Sequence, residues 1–446
     1  MQTLSSIPKL LTYQGQEWIK APLPKKLCKW IEQKPHGWQL ADENNQALKD
    51  ELTILAHHTS WQWPDRLVVF ITDLHADPEA FSASLVASGL FIRLGPLPQQ
   101  IAVIPSAPSF EVILGGDYID KGSNNLGLLR LIGQLINQDI PITLLSGNHD
   151  LRLHLAVKSL VSNDNLLNRH FVIRLGSKIM TMCTELLNEY PLSSEEKADL
   201  PSEEACLSRL LLDDQWYFHF RQEARSHLSD LQIETELTQL RSRERRFISA
   251  AKKAKLSMQQ IYAALKRWAQ LFLEPTGEFH WFTKLQQLGC RRGSFIFIHA
   301  GCDNHMAIRL ATDGIERLNE EYREALNCDP FELYYSLLGN MLRTKYRPQD
   351  PPLSSHIRRT LHQAGIHAFV HGHRNLHYGQ RITFRSNMLH FECDTTLNKV
   401  SRENIGLKAE AAAATLLSPD GWVLGISSDY PAIKHFTPDQ LQRLVL

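Results

Sequence analysis

Five short clusters of Asp, Asn and His lie between residues 73 and 373, and their side chains are of the types that bind divalent metal ions and move protons. Asp73-Leu-His75 comes first. Residues two apart on an extended backbone point to the same side, so this carboxylate and imidazole can face one ion, although D-x-H alone is a common triplet. Asp77 follows as a ligand, a partner behind the ligands or a helix cap, the last two being preferred. The second cluster runs from Gly115 to Gly122 and reads GGDYIDKG. Its glycines permit a tight turn. Asp117 ends an apolar run, where one carboxylate can bridge two ions, while Asp120 is better placed to orient a catalytic histidine. In Gly147-Asn148-His149-Asp150 the Asn148 amide oxygen can bind metal, and the adjacent His149, pointing elsewhere, can protonate a leaving oxygen. His299 in FIFIHAG and the pair His371-Gly372-His373 complete the set. Each of these last two is unremarkable by itself, but five such clusters, each closing an apolar run, are not a pattern that chance supplies.

The apolar runs are the elements that must position them. RLVVFITDL from Arg66, FEVILGGDY from Phe110 and ITLLSGN from Ile142 are near-continuous apolar segments of strand length, which suits strands buried on both faces. LGLLRLIGQLIN, between the second and third, has helical spacing, so the order is strand, helix, strand. The polar residues then gather at the carboxyl edge of a sheet, where open α/β sheets bind ligands. GSFIFIHAG (293–301), HAFVHGH (367–373) and RITFRSNMLHFEC (381–393) are strand-like again, and AAAATLLSPDGWVLGISS reads as two strands about a Pro-Asp-Gly turn. Between about 185 and 285 the pattern turns helical. Residues 227–273 read as two long helices, an antiparallel hairpin, and their charge run RSRERRF reads as a solvated helix face rather than a nucleic-acid patch. The expected division is an N-terminal extension (1–65), a catalytic domain (66–430) interrupted by a helical insertion (186–285), and a C-terminal tail (431–446).

D-x-H, G-D-x-x-D-K-G, G-N-H-D, H-A-G and G-H in this order resemble the calcineurin-like metallophosphoesterase superfamily, and GGDYIDKG with HAG resembles its phosphoprotein phosphatase branch in the bacterial form. The likeness covers about residues 66 to 400 without the helical insertion. It implies an α/β fold, a β-sandwich flanked by helices. It also implies a site in which Asp73 and His75 hold a first metal, Asp117 bridges, and Asn148, His299 and His373 hold a second. His149 would be the general acid, oriented by Asp120. His373 rather than His371 is the expected ligand because the family places it directly after the glycine. Two cations about 3.5–4 Å apart would lower the pKa of a bridging water and clamp the phosphoryl oxygens, and the resulting hydroxide would attack phosphorus in line. Mixed nitrogen and oxygen donors without thiolate suit Mn, Fe or Zn, with Mn preferred. Lys121 stands where the branch usually has Arg, a point charge in place of a planar fork, and Asp150 stands where eukaryotic members have Glu. Arg343 and Arg347 are candidates for a second phosphate contact, with Arg152 behind them.

Composition narrows the partners. Lys and Arg number 48 against 48 Asp and Glu, so no net charge draws the chain toward nucleic acid or anionic membrane. Seven scattered cysteines without a CxxC pair fit reduced thiols better than a disulfide framework or a thiolate zinc site. The N-terminal segment lacks the pattern of a secretory signal. The expectation is a cytoplasmic monomer, or an effector exported without a signal peptide, acting on a phosphorylated protein or small molecule. Phosphomonoester hydrolysis, as by a protein Ser/Thr or Tyr phosphatase, leads. A dinucleoside polyphosphatase is the alternative, and a non-catalytic helical-hairpin scaffold is the reading from another class.

Overall fold

The computed structural model describes residues 11–33, 38–40, 46–56, 61–162, 166–328, 330–342, 353–385 and 388–444. The three apolar runs expected to form a βαβ series are β3 (Leu67–Ile71), β6 (Phe110–Leu114) and β7 (Ile142–Leu145), parallel neighbours in one sheet. With β1 (Leu27–Lys29), β8 (Gln286–Gln287), β14 (Ala413–Ser418), β15 (Trp422–Ser427) and β16 (Ile433–Phe436) they form eight strands in the order β1-β16-β15-β14-β3-β6-β7-β8. A six-stranded sheet holds β2 (Trp38–Leu40), β9 (Gly289–Arg292), β10 (Phe295–Ile298), β11 (Ala368–His371), β12 (Arg381–Arg385) and β13 (Met388–Glu392) in the order β2-β12-β13-β11-β10-β9. A separate ribbon pairs β4 (Phe91–Arg93) with β5 (Ile101–Val103). RITFRSNMLHFEC is thus two antiparallel strands, not one. The Pro-Asp-Gly segment turns between β14 and β15, with Gly421 at φ 91°.

Strand alternation assigns the two faces of the large sheet. Val68 and Phe70 of β3 and Ile113 of β6 pack against Phe297, Val370 and Phe391 of the other sheet. Phe70 and Phe297 are 5.5 Å apart at their ring centroids. This is a β-sandwich core. Val69, Ile71, Val112 and Leu114 point the other way, onto Phe81, Leu85, Leu128 and Ile132 of the flanking helices. Both faces are dry, which is why these strands read as unbroken apolar runs instead of alternating ones.

The helices follow in chain order: α1 (Gln46–Ala56), α2 (Pro78–Ala87), α3 (Asn125–Asn137), α4 (Asn148–Ser162), α5 (His170–Leu175), α6 (Ile179–Glu189), α7 (Ser194–Ala198), α8 (Glu203–Leu210), α9 (Asp214–Glu223), α10 (Asp230–Ala254), α11 (Met258–Phe272) and α12 (His280–Leu285). The two long helices expected within 227–273 are α10 and α11. Each begins with a capping box, Ser229 with Gln232 and Ser257 with Gln260. Lys255 in the left-handed region ends α10. Ile233, Leu237, Leu240, Phe247 and Ala251 form its buried stripe. The main partner of α10 is the single turn Gly176–Lys178, followed by α5 and α6 on either side of it, whereas α11 lies on α4, α6 and α8. The helix–turn–helix therefore spends its apolar faces on the preceding helices more than on itself. Among the described residues, no helix is long and apolar enough to cross a membrane.

The N-terminal strand is tied into the sandwich. β1 pairs in parallel with β16, and the turn after it buries Trp30 completely, 5.7 Å from the Phe391 ring. A Cβ on Gly425 would lie 2.6 Å from the Trp30 indole. Trp30→Ala should cost about 3–5 kcal/mol of unfolding free energy, read by chemical denaturation. A midpoint equal to wild type would show that this segment adds nothing to the core.

Candidate metal and active site

The carboxyl ends of β3, β6, β7, β10 and β11 converge, and the backbone there is held in an unusual conformation. Asp73, His75, Asp117, Asp120, Lys121 and His373 all have positive φ, between 45° and 73°, a region that costs non-glycine residues energy and clusters at functional sites. Asp73 and His75 therefore do not share a face by strand alternation, since both lie beyond β3. Cross-loop hydrogen bonds place them instead: Asp73 N to Gly116 O (3.1 Å), His75 N to Asp117 O (2.9 Å) and Ala76 N to Tyr118 O (2.6 Å). Two glycines make the approach feasible. A Cβ on Gly147 would sit 2.1 Å from Asp117 N, and one on Gly372 would sit 2.1 Å from Asp73 Oδ2.

Two groups of buried donors result, Asp73 with His75 and Asp117, and Asp117 with His299 and His373. Asp117 belongs to both. Its Oδ2 is 3.7 Å from His75 Nε2, and its Oδ1 is 3.5 Å from His299 Nε2. His299 Nε2 also lies 3.0 Å from His373 Nδ1 and 3.3 Å from Asn148 Oδ1. The remote ring nitrogens are anchored: His299 Nδ1 donates to Gly115 O at 2.8 Å and His75 Nδ1 to Ile119 O at 3.3 Å. That leaves the Nε2 lone pairs directed inward, as metal-binding histidines require.

The donor chemistry fits divalent cations. Acceptor faces acceptor across a buried centre, an arrangement that a cation between them relieves. The Asn148 amide oxygen points at the imidazoles; reversing the amide would bring its nitrogen to 2.9 Å from His373 Nδ1, but only the oxygen-inward orientation offers a metal a lone pair. Burial and the nearby Asp394 and Asp117 charges push the Asp73 carboxyl well up. Burial would raise Asp117 too, but His299, His149, His75 and Lys121 outweigh it and hold that carboxyl well below its usual range.

His149 stands beside this centre. Its Nδ1 meets Asp120 Oδ2 at 2.7 Å and its Nε2 is 3.9 Å from Asp117 Oδ2. Burial lowers the imidazole pKa against the pull of Asp117 and Asp120. The Asp120 carboxyl is raised by burial but held below normal by its bond to His149. The Lys121 ammonium reaches 2.5 Å from His75 Nε2, within the donor cluster. Asp77 caps α2 through Ala80 N (3.0 Å) and receives Lys399 N (2.9 Å), matching the capping role. His371 bonds its own neighbour's carbonyl, Gly372 O, and packs edge-on against His390, apart from both donor groups. Arg343 and Arg347 lie outside the described residues. Arg152 is buried and lines a cavity of about 310 Å³ that opens beside His149.

Three residues have supporting roles that the sequence did not assign. Asp150 accepts the amides of Asp117 (2.8 Å), Tyr118 (3.1 Å) and Gly147 (2.9 Å), tying the loops after β6 and β7 together. Asp394 accepts the amides of Asn375 (2.6 Å) and Thr396 (2.9 Å). Asn398 Nδ2 donates to His75 O (2.8 Å). Asp394 follows the apolar strand MLHFE, the same strand-end signal that marked the other clusters. Asp150→Asn should weaken the protein by about 1.5–3 kcal/mol and lower its metal content, read by denaturant unfolding and elemental analysis. Unchanged values would show that the carboxylate does not hold the two loops.

A family model described as calcineurin-like phosphoesterase matches residues 66–239. The matched segment contains Asp73, His75, Asp117, Asn148 and His149; His299 and His373 reach the site from beyond it. No curated protein sequence matches the chain. Among solved structures, a cold-active protein tyrosine phosphatase is similar over 87% of this chain and 84% of its own, at 11% identity and a TM-score of 0.44. The cold-active protein tyrosine phosphatase of the psychrophile Shewanella sp. covers 83% and 80%, at 11% identity and a TM-score of 0.42. A protein serine/threonine phosphatase from Saccharomyces cerevisiae covers 88% and 88%, at 10% identity and a TM-score of 0.34. The chain carries a calcineurin-like phosphoesterase domain over residues 66–239.

Proposed function

We propose that this phosphoesterase is a dinuclear metal-dependent phosphatase that hydrolyses phosphomonoesters, with phosphoserine, phosphothreonine or phosphotyrosine in proteins as its substrate class. The observation that carries the reading is the His149–Asp120 pair set beside two buried donor groups that share Asp117. Asp73, His75 and Asp117 would hold one divalent cation, and Asp117, Asn148, His299 and His373 the other. Bound there, such a pair acidifies water and neutralises charge on the phosphoryl oxygens.

The chain's own residues supply the rest. The two oxygens of Asp117 lie toward different donor groups, Oδ2 toward His75 and Oδ1 toward His299, so this one carboxylate would serve both. Lys121, next to Asp120 and reaching into the cluster, adds positive charge where a phosphate enters. In the reaction a bond forms between water oxygen and phosphorus, the bond to the leaving oxygen breaks, and His149 Nε2 delivers the proton that the leaving oxygen takes up; one water proton stays on the released phosphate and the other passes to solvent, from which His149 recovers its own. Asp120 holds the ring in orientation and steadies its protonated form, while burial eases release of the proton. A small-molecule reading, such as a dinucleoside polyphosphatase, uses the same groups with a different leaving half.

Three outcomes test the assignment. Phosphate release from phosphopeptides should require added Mn and vanish on chelation; Asp117→Asn should lose both bound metal and nearly all turnover. His149→Asn should keep its metal and lose about 10²–10⁴-fold in kcat. Equal metal loss in the two variants would overturn the division between holder and proton donor. Inert phosphopeptides alongside turnover of a dinucleoside tetraphosphate would move the function to nucleotides, and no metal-dependent turnover at all would favour the scaffold.

A further inference from the structure

The cavity beside His149 is built by the helical insertion as well as by the catalytic loops. Lys121 and His149 line both this cavity and the small recess among Asp73, Asp117, Asn148 and His373, so the two adjoin across these side chains, with the residue assigned the proton transfer standing between them. Its walls carry Lys121, Arg152, Arg174, Lys178, Arg243 and Arg246 against a single carboxylate, Asp120. Arg174 is committed to Glu236 and Tyr335, each at 2.5 Å, and serves as wall. Its apolar lining comes from Ile119, Leu153, Leu175, Ile179 and Met182.

The packing of α10 aims two of these cations. Leu240, Phe247 and Ala251 bury one face of the helix. Within the run Arg241 to Arg246, Glu244 turns toward the insertion, where it accepts Leu212 N at 2.8 Å, and Arg241 stacks 4.7 Å over the Tyr217 ring. Arg243 and Arg246, three apart and so on one face, both line the cavity, Arg246 with its Nε donating to Ser242 O at 3.4 Å. A run that reads as a solvated face is therefore sorted by packing, and a chain with 48 charges of each sign acquires a local excess of positive charge next to its catalytic centre.

We propose that this cavity is a leaving-group subsite in which Arg243 and Arg246, with Lys178, bind a second anionic group carried by the substrate beyond its scissile phosphate. An apolar or aryl leaving group would rest on this apolar lining, and a carboxylate or phosphate past it would meet the cations of α10. The inference rests on the phosphatase reading above and names its substrate class: phosphoesters whose leaving half is apolar near the phosphorus and anionic further out. A cavity of about 310 Å³ has room for a ring and one such group.

The test uses the Mn-loaded full chain and two matched substrate pairs: phosphotyrosine peptides with acidic or neutral flanking residues, and 4-carboxyphenyl phosphate against phenyl phosphate. The wild type should prefer the anionic member in kcat/KM by roughly tenfold at low salt, with the preference shrinking as salt rises. Arg243→Gln/Arg246→Gln should bring the ratio near unity, and the double Arg→Lys variant should restore part of it, a recovery that a merely structural role would not produce. If the double Gln variant fails to fold, Arg246→Gln alone, at an exposed position, carries the test through the same ratio. A preference confined to the small pair supports the subsite and assigns it to a small molecule; one confined to peptides assigns it to proteins. An anionic preference that is absent, or that persists unchanged in the Gln variants, overturns the subsite. Absence of metal-dependent turnover of every substrate by the wild type would instead defeat the phosphatase reading beneath it.

Discussion

Asp117 sets the electrostatic constraint that the surrounding structure meets. Its carboxylate is 2% exposed and lies among three histidines and a lysine. A buried carboxylate is tolerable only where its lone pairs are used, and here each oxygen serves a different donor group while Oδ1 also accepts His149 N at 2.9 Å. The charge is thus the reason the groups around it stay together, and the left-handed backbone at Asp73, His75, Asp117 and His373 is the conformational cost of bringing them there.

That cost is sustained by the scaffold underneath. Strands β3 and β6 are buried on both faces, and β10 and β11 continue the same dry interior in the second sheet. Residues just past such strands inherit well-fixed starting points, so short loops can hold side chains in tight register. Asp150 and Asp394 then act as staples. Each collects backbone amides from more than one residue, converting loose loop ends into a single framework.

Much of this was legible in the chain because the same physics wrote it twice. A strand buried on both sides must be apolar throughout, and a metal donor at its end must be Asp, Asn or His, so the transition between the two shows in a single sequence. Asp73, His75, Asp117, Asn148, His299 and His373 stood out in this way as candidate donors, and their side chains lie together in the fold; the Pro-Asp-Gly turn between β14 and β15 was equally plain. The reason Asp73 and His75 come together was not, because left-handed φ leaves no mark on a non-glycine residue. Asp150 was visible only as a motif letter, since its three partners are backbone amides. The destination of Arg243 and Arg246 was hidden for a different reason. A charge run with helical spacing does not tell which neighbour will take its apolar face, and the packing of α10 on the turn Gly176–Lys178 and the helices α5 and α6 beside it decides which arginines reach the cavity.

The order in which these parts leave the ribosome adds a consequence. β1 finds its ladder partner only in β16, some four hundred residues later. The donor group around Asp117 likewise waits for His299 and then His373. A nascent chain that has emerged through the matched segment ending at residue 239 already holds Asp73, His75, Asp117 and His149 but lacks two of the imidazoles. Synthesis of this protein therefore carries its own timing: half-made copies cannot close the second donor group, and assembly of the paired donor groups is a late event that reports completion of the fold.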